Sequence, residues 1–236
     1  RGGLVIDGAM STPLEAAGLN LNDTLWSAKA LLECPDLVRK VHYDYYAAGA
    51  NAVEACSYQA TEAAFARKGI EKAEASRLIR LSGELVREAK NDVLLEHPEW
   101  DPADLLTAGS IGPYGAYLAD GSEYTGAYDL TREEYYAFHQ LRLDELLNSG
   151  MDILAIETQP RFDEIEALLA MIADRDITCW VTVTLKDGDM PDGTKLEVLA
   201  KCLDADPHVE AFGFNCVKRE WVEPGLKRLS AYTDKP

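Results

Sequence analysis

The sequence has no uninterrupted apolar run near the ~20 residues that a membrane-spanning helix requires, so its hydropathy excludes a helical membrane span. Its amino end, RGGLVIDGAM, carries no long apolar core of the kind a secretory signal needs. Cysteine is sparse and scattered: Cys34, Cys56, Cys179, Cys202 and Cys216 make an odd set of five with no CxxC pair. That spacing argues against a disulfide framework and for a reducing cytoplasm. Positive charge is also short, with 23 Lys and Arg against 41 Asp and Glu and a formal net charge of −18. Such a surface repels nucleic-acid backbones and anionic membranes, so neither is expected as a partner. The acidity is first of all a solvated surface; it would also attract a cationic substrate.

What is present is a chain of 236 residues, 47% hydrophobic, enough for a large core. An α/β barrel commonly uses about that length as one domain, and a single domain over residues 1–236 is the expectation. One theme repeats along it: a short apolar strand, a loop, then an amphipathic helix. Strands are expected at GLVIDGA (3–9), NAVEACS (51–57), LLTAGSIG (105–112), MDILAIET (151–158), TCWVTVTL (178–185) and VEAFGFNC (209–216). Helices are expected over 36–49, 74–96, 131–150, 162–175, 194–205 and 220–232, the last irregular at Pro224 and Gly225. Thr131 suits the N-cap of its helix and Gly150 its stop. Nearly all-apolar strands alternating with helices mean a parallel sheet covered by helices. Either a doubly wound open sheet or an eight-unit barrel fits, and six units would leave a barrel incomplete.

In both architectures ligands gather at the carboxyl ends of the strands. That rule selects Asp7 after the first strand, Cys56 after the second, Glu157 after the fourth, and Asn215 and Cys216 after the sixth. Each acid taken alone would ordinarily cap a helix or fix a turn. Together at one end of a sheet they could grip an ammonium group or act as a paired acid and base. The loop after the third strand, GSIGPYGAYLADGSEYTG (109–126), has no lysine and no GK[ST] ending and is not a phosphate loop. Its tyrosines, Tyr114 among them, and its acids Asp120 and Glu123 suit a cationic ligand. Cys216 has three readings from its position: a buried small residue, a nucleophile, or a zinc ligand. The histidines (His42, His97, His139, His208) fall on helices or before strands, which weakens a Cys–His pair. Cys34, Cys179 and Cys202 look structural, and Cys56 is ambiguous.

Five segments together resemble the homocysteine S-methyltransferases, most closely those that use S-methylmethionine: the run from LVIDGAM to YYAAGAN, then SYQAT, GSIGPYGAYLADGSEYTGAY, AIETQPRFDEIEAL and GFNC. The match is collinear from the first strand to about residue 216, and the glycine and tyrosine loop is its most specific part. The resemblance implies a (β/α)8 barrel and a zinc-dependent methyl transfer from S-methylmethionine, or from S-adenosylmethionine, to homocysteine. It makes Cys216 a zinc ligand, with the remaining ligands, an adjacent cysteine pair, expected beyond Pro236. It makes Asp7 and Glu157 contacts of the homocysteine amino group, with Asn215 beside the metal and Tyr114 on the substrate side. Pro13 departs from relatives, which often carry an acid there; proline suits a first helical turn. Two rivals remain: a non-catalytic barrel homologue that binds an amino acid without zinc, and a metal-free lyase or hydrolase using Asp7 and Glu157.

Overall fold

The structure is a computed structural model of the chain and describes residues 3–236. The chain packs as two compact units, one formed by the residues up to Ile111 with Gln140–Ile153, the other by Gly112–His139 with Leu154–Pro236.

The first unit holds helices α1 (Ser11–Ala16), α2 (Ala30–Glu33), α3 (Pro35–Ala47), α4 (Glu62–Ala66) and α5 (Lys72–Glu96). Its strands β1 (Ala52–Glu54) and β2 (Leu106–Ile111) pair in parallel, Val53 opposite Thr107. Pro35 opens α3, where a missing N–H costs nothing. Helix α3 turns Val38, Val41 and Tyr46 inward, and α5 turns Leu78, Ile79, Leu85, Val86 and Val93 inward, the spacing of a single apolar stripe on each. The two helices pack together along these stripes. Tyr46 then donates its hydroxyl to the Leu106 carbonyl at 2.8 Å, tying α3 to β2. The carboxylate of Asp152 accepts from the Thr107 amide at 2.8 Å and its hydroxyl at 2.9 Å.

The expected first strand is a correction. Residues 3–9 form a single parallel bridge, Ile6 to Ala52, with the Asp7 amide donating to the Ala52 carbonyl at 3.0 Å. Leu4, Val5 and Ile6 are 50%, 56% and 45% exposed, so this apolar run is not a core strand. An apolar run cannot by itself distinguish a strand with consecutive pairs from an extended segment with one.

The second unit holds α6 (Tyr114–Leu118), α7 (Ser122–Thr125), the start of α8 (Arg132–Asn148), then β3 (Ile153–Gln159), α9 (Phe162–Ile172), β4 (Cys179–Val183), α10 (Leu196–Ala205), β5 (Val209–Phe214) and α11 (Arg219–Leu229). Strand β4 lies between β3 and β5, both parallel to it, with Ile156 opposite Val181 and Val183 opposite Phe214. Thr131 and Glu134 form a capping box at the start of α8, each accepting from the other's amide, at 3.3 and 2.7 Å. α11 continues through Pro224, which, lacking an N–H, leaves one helical hydrogen bond unmade there. Gly225 explains its close seating, since a Cβ there would meet the Phe214 ring at 2.6 Å. All described pairings between named strands are parallel and helices separate the strands, so the fold is α/β with parallel strands, as the alternation implied. No helix among the described residues is long and apolar enough to cross a membrane.

Candidate functional site

The carboxyl ends of β3 and β5 meet through one side chain. Asn215 accepts from the Thr158 amide at 2.9 Å through Oδ1. Its Nδ2 donates to Thr158 Oγ1 at 2.8 Å and to Glu157 Oε2 at 3.2 Å. The Thr158 hydroxyl in turn points at the Cys216 sulfur at 3.9 Å, and Thr184 donates to the Cys216 carbonyl at 3.3 Å. Glu157, Thr158, Asn215 and Cys216 are therefore one hydrogen-bonded group.

The backbone is bent to make it. Thr158 and Cys216 both have positive φ, 56° and 52°, in the left-handed region that side chains disfavour. For a β-branched threonine this is a true outlier, worth ~1–3 kcal/mol of strain that the surroundings must hold. The ladder between β3 and β4 shifts register between Ile156 and Gln159, at the same place. Strain at strand ends beside a cysteine and an acid is a mark of a working site.

The electrostatics oppose a thiolate. Cys216 is exposed as a residue, yet partial burial of its thiol raises its pKa, and the charges of Glu157 and Glu123 raise it further, against a lowering bond from Thr158. Glu123, in α7, has its own pKa raised by burial and by Asp120, and its Oε2 is buried with no hydrogen-bond partner among the described residues. The Tyr124 hydroxyl is raised by burial, then by the Cys216 thiol and Glu123. Glu157, Glu123 and Tyr124 thus all act electrostatically on the Cys216 sulfur, a setting that favours positive charge.

Tyr114 opens α6, and its ring packs against Phe138, Tyr117 and Tyr128 at 4.9, 5.5 and 5.5 Å. Its hydrogen-bonded neighbour is Glu164, which takes the Tyr114 amide at 2.7 Å. Asp7 belongs to the first unit, where its carboxylate accepts from the Glu54 amide at 3.0 Å. The structure thus joins Glu157, Asn215 and Cys216 directly.

Cys56, ambiguous from its position, is placed in the interior by the structure. It is buried, donates to the Ser27 carbonyl at 3.4 Å, and burial pushes its pKa to about 12. Cys179 is buried with its pKa likewise raised to about 12. Two features were not read from the sequence. The conformation of Thr158 has no local signal, because threonine favours extended strands. Glu164 looked like an ordinary acid in a first helical turn; it is fully buried and faces His139 Nε2 at 2.8 Å.

A metal at Cys216 can be tested against these residues. A sulfur donor in an acidic setting, its proton held on by neighbouring negative charge, suits a soft divalent cation such as zinc. Among the described residues no group of three or more His, Cys, Asp or Glu is arranged to hold a metal ion. The residues present therefore fit such an ion through one ligand.

The family model for homocysteine S-methyltransferase matches residues 4–236. The homocysteine S-methyltransferase of Escherichia coli (strain K12) is 48% identical over 235 residues, covering 99% of this chain and 75% of that protein. The homocysteine S-methyltransferase YbgG of Bacillus subtilis (strain 168) is 42% identical, covering 99% and 75%. The crystal structure of the metallated form of the homocysteine methyltransferase MmuM from Escherichia coli superposes with a TM-score of 0.94 at 48% identity, covering 99% of this chain and 81% of that one. Family model, identity and backbone agree, and the chain belongs to the homocysteine S-methyltransferase family, a family of enzymes that transfer a methyl group to homocysteine.

Proposed function

We propose that this methyltransferase takes its methyl group from a sulfonium donor, S-methylmethionine first and S-adenosylmethionine second, and that zinc held partly by Cys216 assists. The observation that carries the reading is the bond network of Asn215, which joins an acid, Glu157, and a soft sulfur, Cys216, across the carboxyl ends of β3 and β5. On this reading the other zinc ligands would lie beyond Pro236 and the strands would belong to a (β/α)8 barrel, as one domain. When bound, zinc would hold the acceptor sulfur as a thiolate at neutral pH.

The chain's own residues do the rest. Glu157 receives the homocysteine ammonium by charge-assisted hydrogen bonds, and Asp7 is its second acceptor. Asn215 holds the Glu157 carboxylate in place, so the amino acid arrives with one orientation. Glu123, with its buried unpartnered oxygen, and the rings of Tyr114 and Tyr124 face the positive sulfonium. The thiol loses its proton to solvent. Its sulfur then attacks the methyl carbon in line, the carbon–sulfonium bond breaks, and the electron pair leaves with the donor as a neutral thioether. With S-methylmethionine as donor, acceptor and donor both become methionine.

The test uses the full-length protein, with metal analysis and methyl transfer from each donor. Cys216→Ala is expected to lose the metal and lower turnover by at least about a hundredfold while the fold persists, as removal of a ligand does. Retained turnover would overturn the ligand role. Glu157→Ala is expected to raise KM for homocysteine about tenfold or more, with the donor KM little changed. Equal losses would assign it elsewhere.

A further inference from the structure

The segment from Tyr114 to Tyr128 carries Glu123 and Tyr124, and a single buried carboxylate holds its two ends. Glu164 stands in the first turn of α9 and is fully buried. Its Oε1 accepts from the Tyr114 amide at 2.7 Å and faces His139 Nε2 at 2.8 Å; its Oε2 accepts from the Tyr128 hydroxyl at 2.6 Å. Arg161 adds to the closure, donating to the Tyr128 carbonyl at 2.6 Å while paired with Asp163.

We propose that Glu164 is a positioning residue for the methyl-donor side of the site: it closes segment 114–128 onto the start of α9 and so sets Glu123 and Tyr124 beside Cys216. The inference rests on the reading of that side as the donor wall. The link from Glu164 to Glu123 is physical. The Tyr114 amide is pinned at the start of α6, and α6 touches α7 at Gly115, where a Cβ would lie 2.6 Å from the Glu123 amide nitrogen and from Ser122 carbon. No side chain larger than hydrogen fits, so a shift of α6 moves α7 and Glu123 with it. A polar group buried this deeply is costly unless its oxygens are hydrogen-bonded. An apolar side chain would fill the space but would not choose one conformation for the two loop ends. The carboxylate does, because both ends lose a hydrogen-bond partner when the loop moves.

The test compares Glu164→Gln, Glu164→Ala and the milder Tyr128→Phe with the wild type in the full-length protein. The readouts are KM and kcat for donor and homocysteine separately, and amide hydrogen exchange over 114–128. Glu164→Ala is expected to raise donor KM about tenfold or more with homocysteine KM within about twofold, and Glu164→Gln to recover part of the loss. Exchange over 114–128 is expected to quicken about tenfold in Tyr128→Phe, with β3 unaffected. Equal rises in both KM values, or wild-type exchange and donor KM in Tyr128→Phe, would overturn the proposal. Should Glu164→Ala not fold, Tyr128→Phe decides it alone. If the wild type uses no sulfonium donor, the donor reading fails, while exchange in Tyr128→Phe still reports on whether the carboxylate closes the loop.

Discussion

Single residues carry unusual electrostatic loads in this protein. His42 is completely buried on α3, neither ring nitrogen has a partner among the described residues, and burial lowers its pKa from the ordinary 6.5 to about 3. The unfolded chain therefore binds a proton between those values that the folded chain does not, and stability rises with pH through that window. At pH 5 the loss relative to neutral pH is about 2 kcal/mol from this group. His42→Leu is expected to flatten that slope, checked by urea melts at about pH 5 and 7.5; an unchanged slope would assign the acid sensitivity to the carboxylates. At Cys216 the same forces act in reverse: burial and two acids keep the proton on the thiol, so a cation is needed before the sulfur can serve as a ligand anion.

At the scale of elements, the site depends on where strands stop and helices start. Left-handed residues stand near both strand ends, Thr158 one before the end of β3 and Cys216 two past the end of β5, and Asn215 ties the two ends together with three hydrogen bonds. The helices that follow are started by local chemistry. The capping box of Thr131 and Glu134 fixes the first turn of α8, which carries His139 to Glu164. Thr131→Ala is expected to cost ~1 kcal/mol and to lower Tm by about 2–4 °C for a chain of this size. Thermal melts check this, and a drop several times larger would mean that the cap also governs the buried His139 pair. Close packing is equally local in origin: Gly115 and Gly225 stand where α6 meets α7 and where α11 meets β5, each with no room for a methyl group.

At the scale of the whole molecule, the formal charge of −18 over these 236 residues contributes to the field in which a substrate arrives. The sulfonium donor proposed above, with net positive charge, would be drawn in, while homocysteine, a zwitterion, would not. Salt screens that field over about 10 Å at 0.1 M. Donor KM is therefore expected to rise several-fold between about 0.05 and 0.5 M salt, with homocysteine KM nearly constant. Steady-state kinetics with each substrate varied in turn checks this, and an equal salt response would remove the electrostatic role of the acidic surface.

By itself the sequence determined the order of helices and parallel strands, the capping of α8, and the strand-end placement of Glu157, Asn215 and Cys216. These follow from apolar periodicity and local hydrogen bonding, which act over a few residues and are written in a short window. It overstated the first strand, because Leu4 to Ile6 are apolar but mostly in solvent. Only the tertiary structure decided the left-handed turns at Thr158 and Cys216, the bracket from Asn215 to a residue 57 positions away, and the closure of Tyr114 on Glu164 across 50 positions. Such bonds depend on sheet register and on which helix face turns inward. Those are set by the packing of the folded unit, and no stretch of chain contains both partners closely enough to announce them.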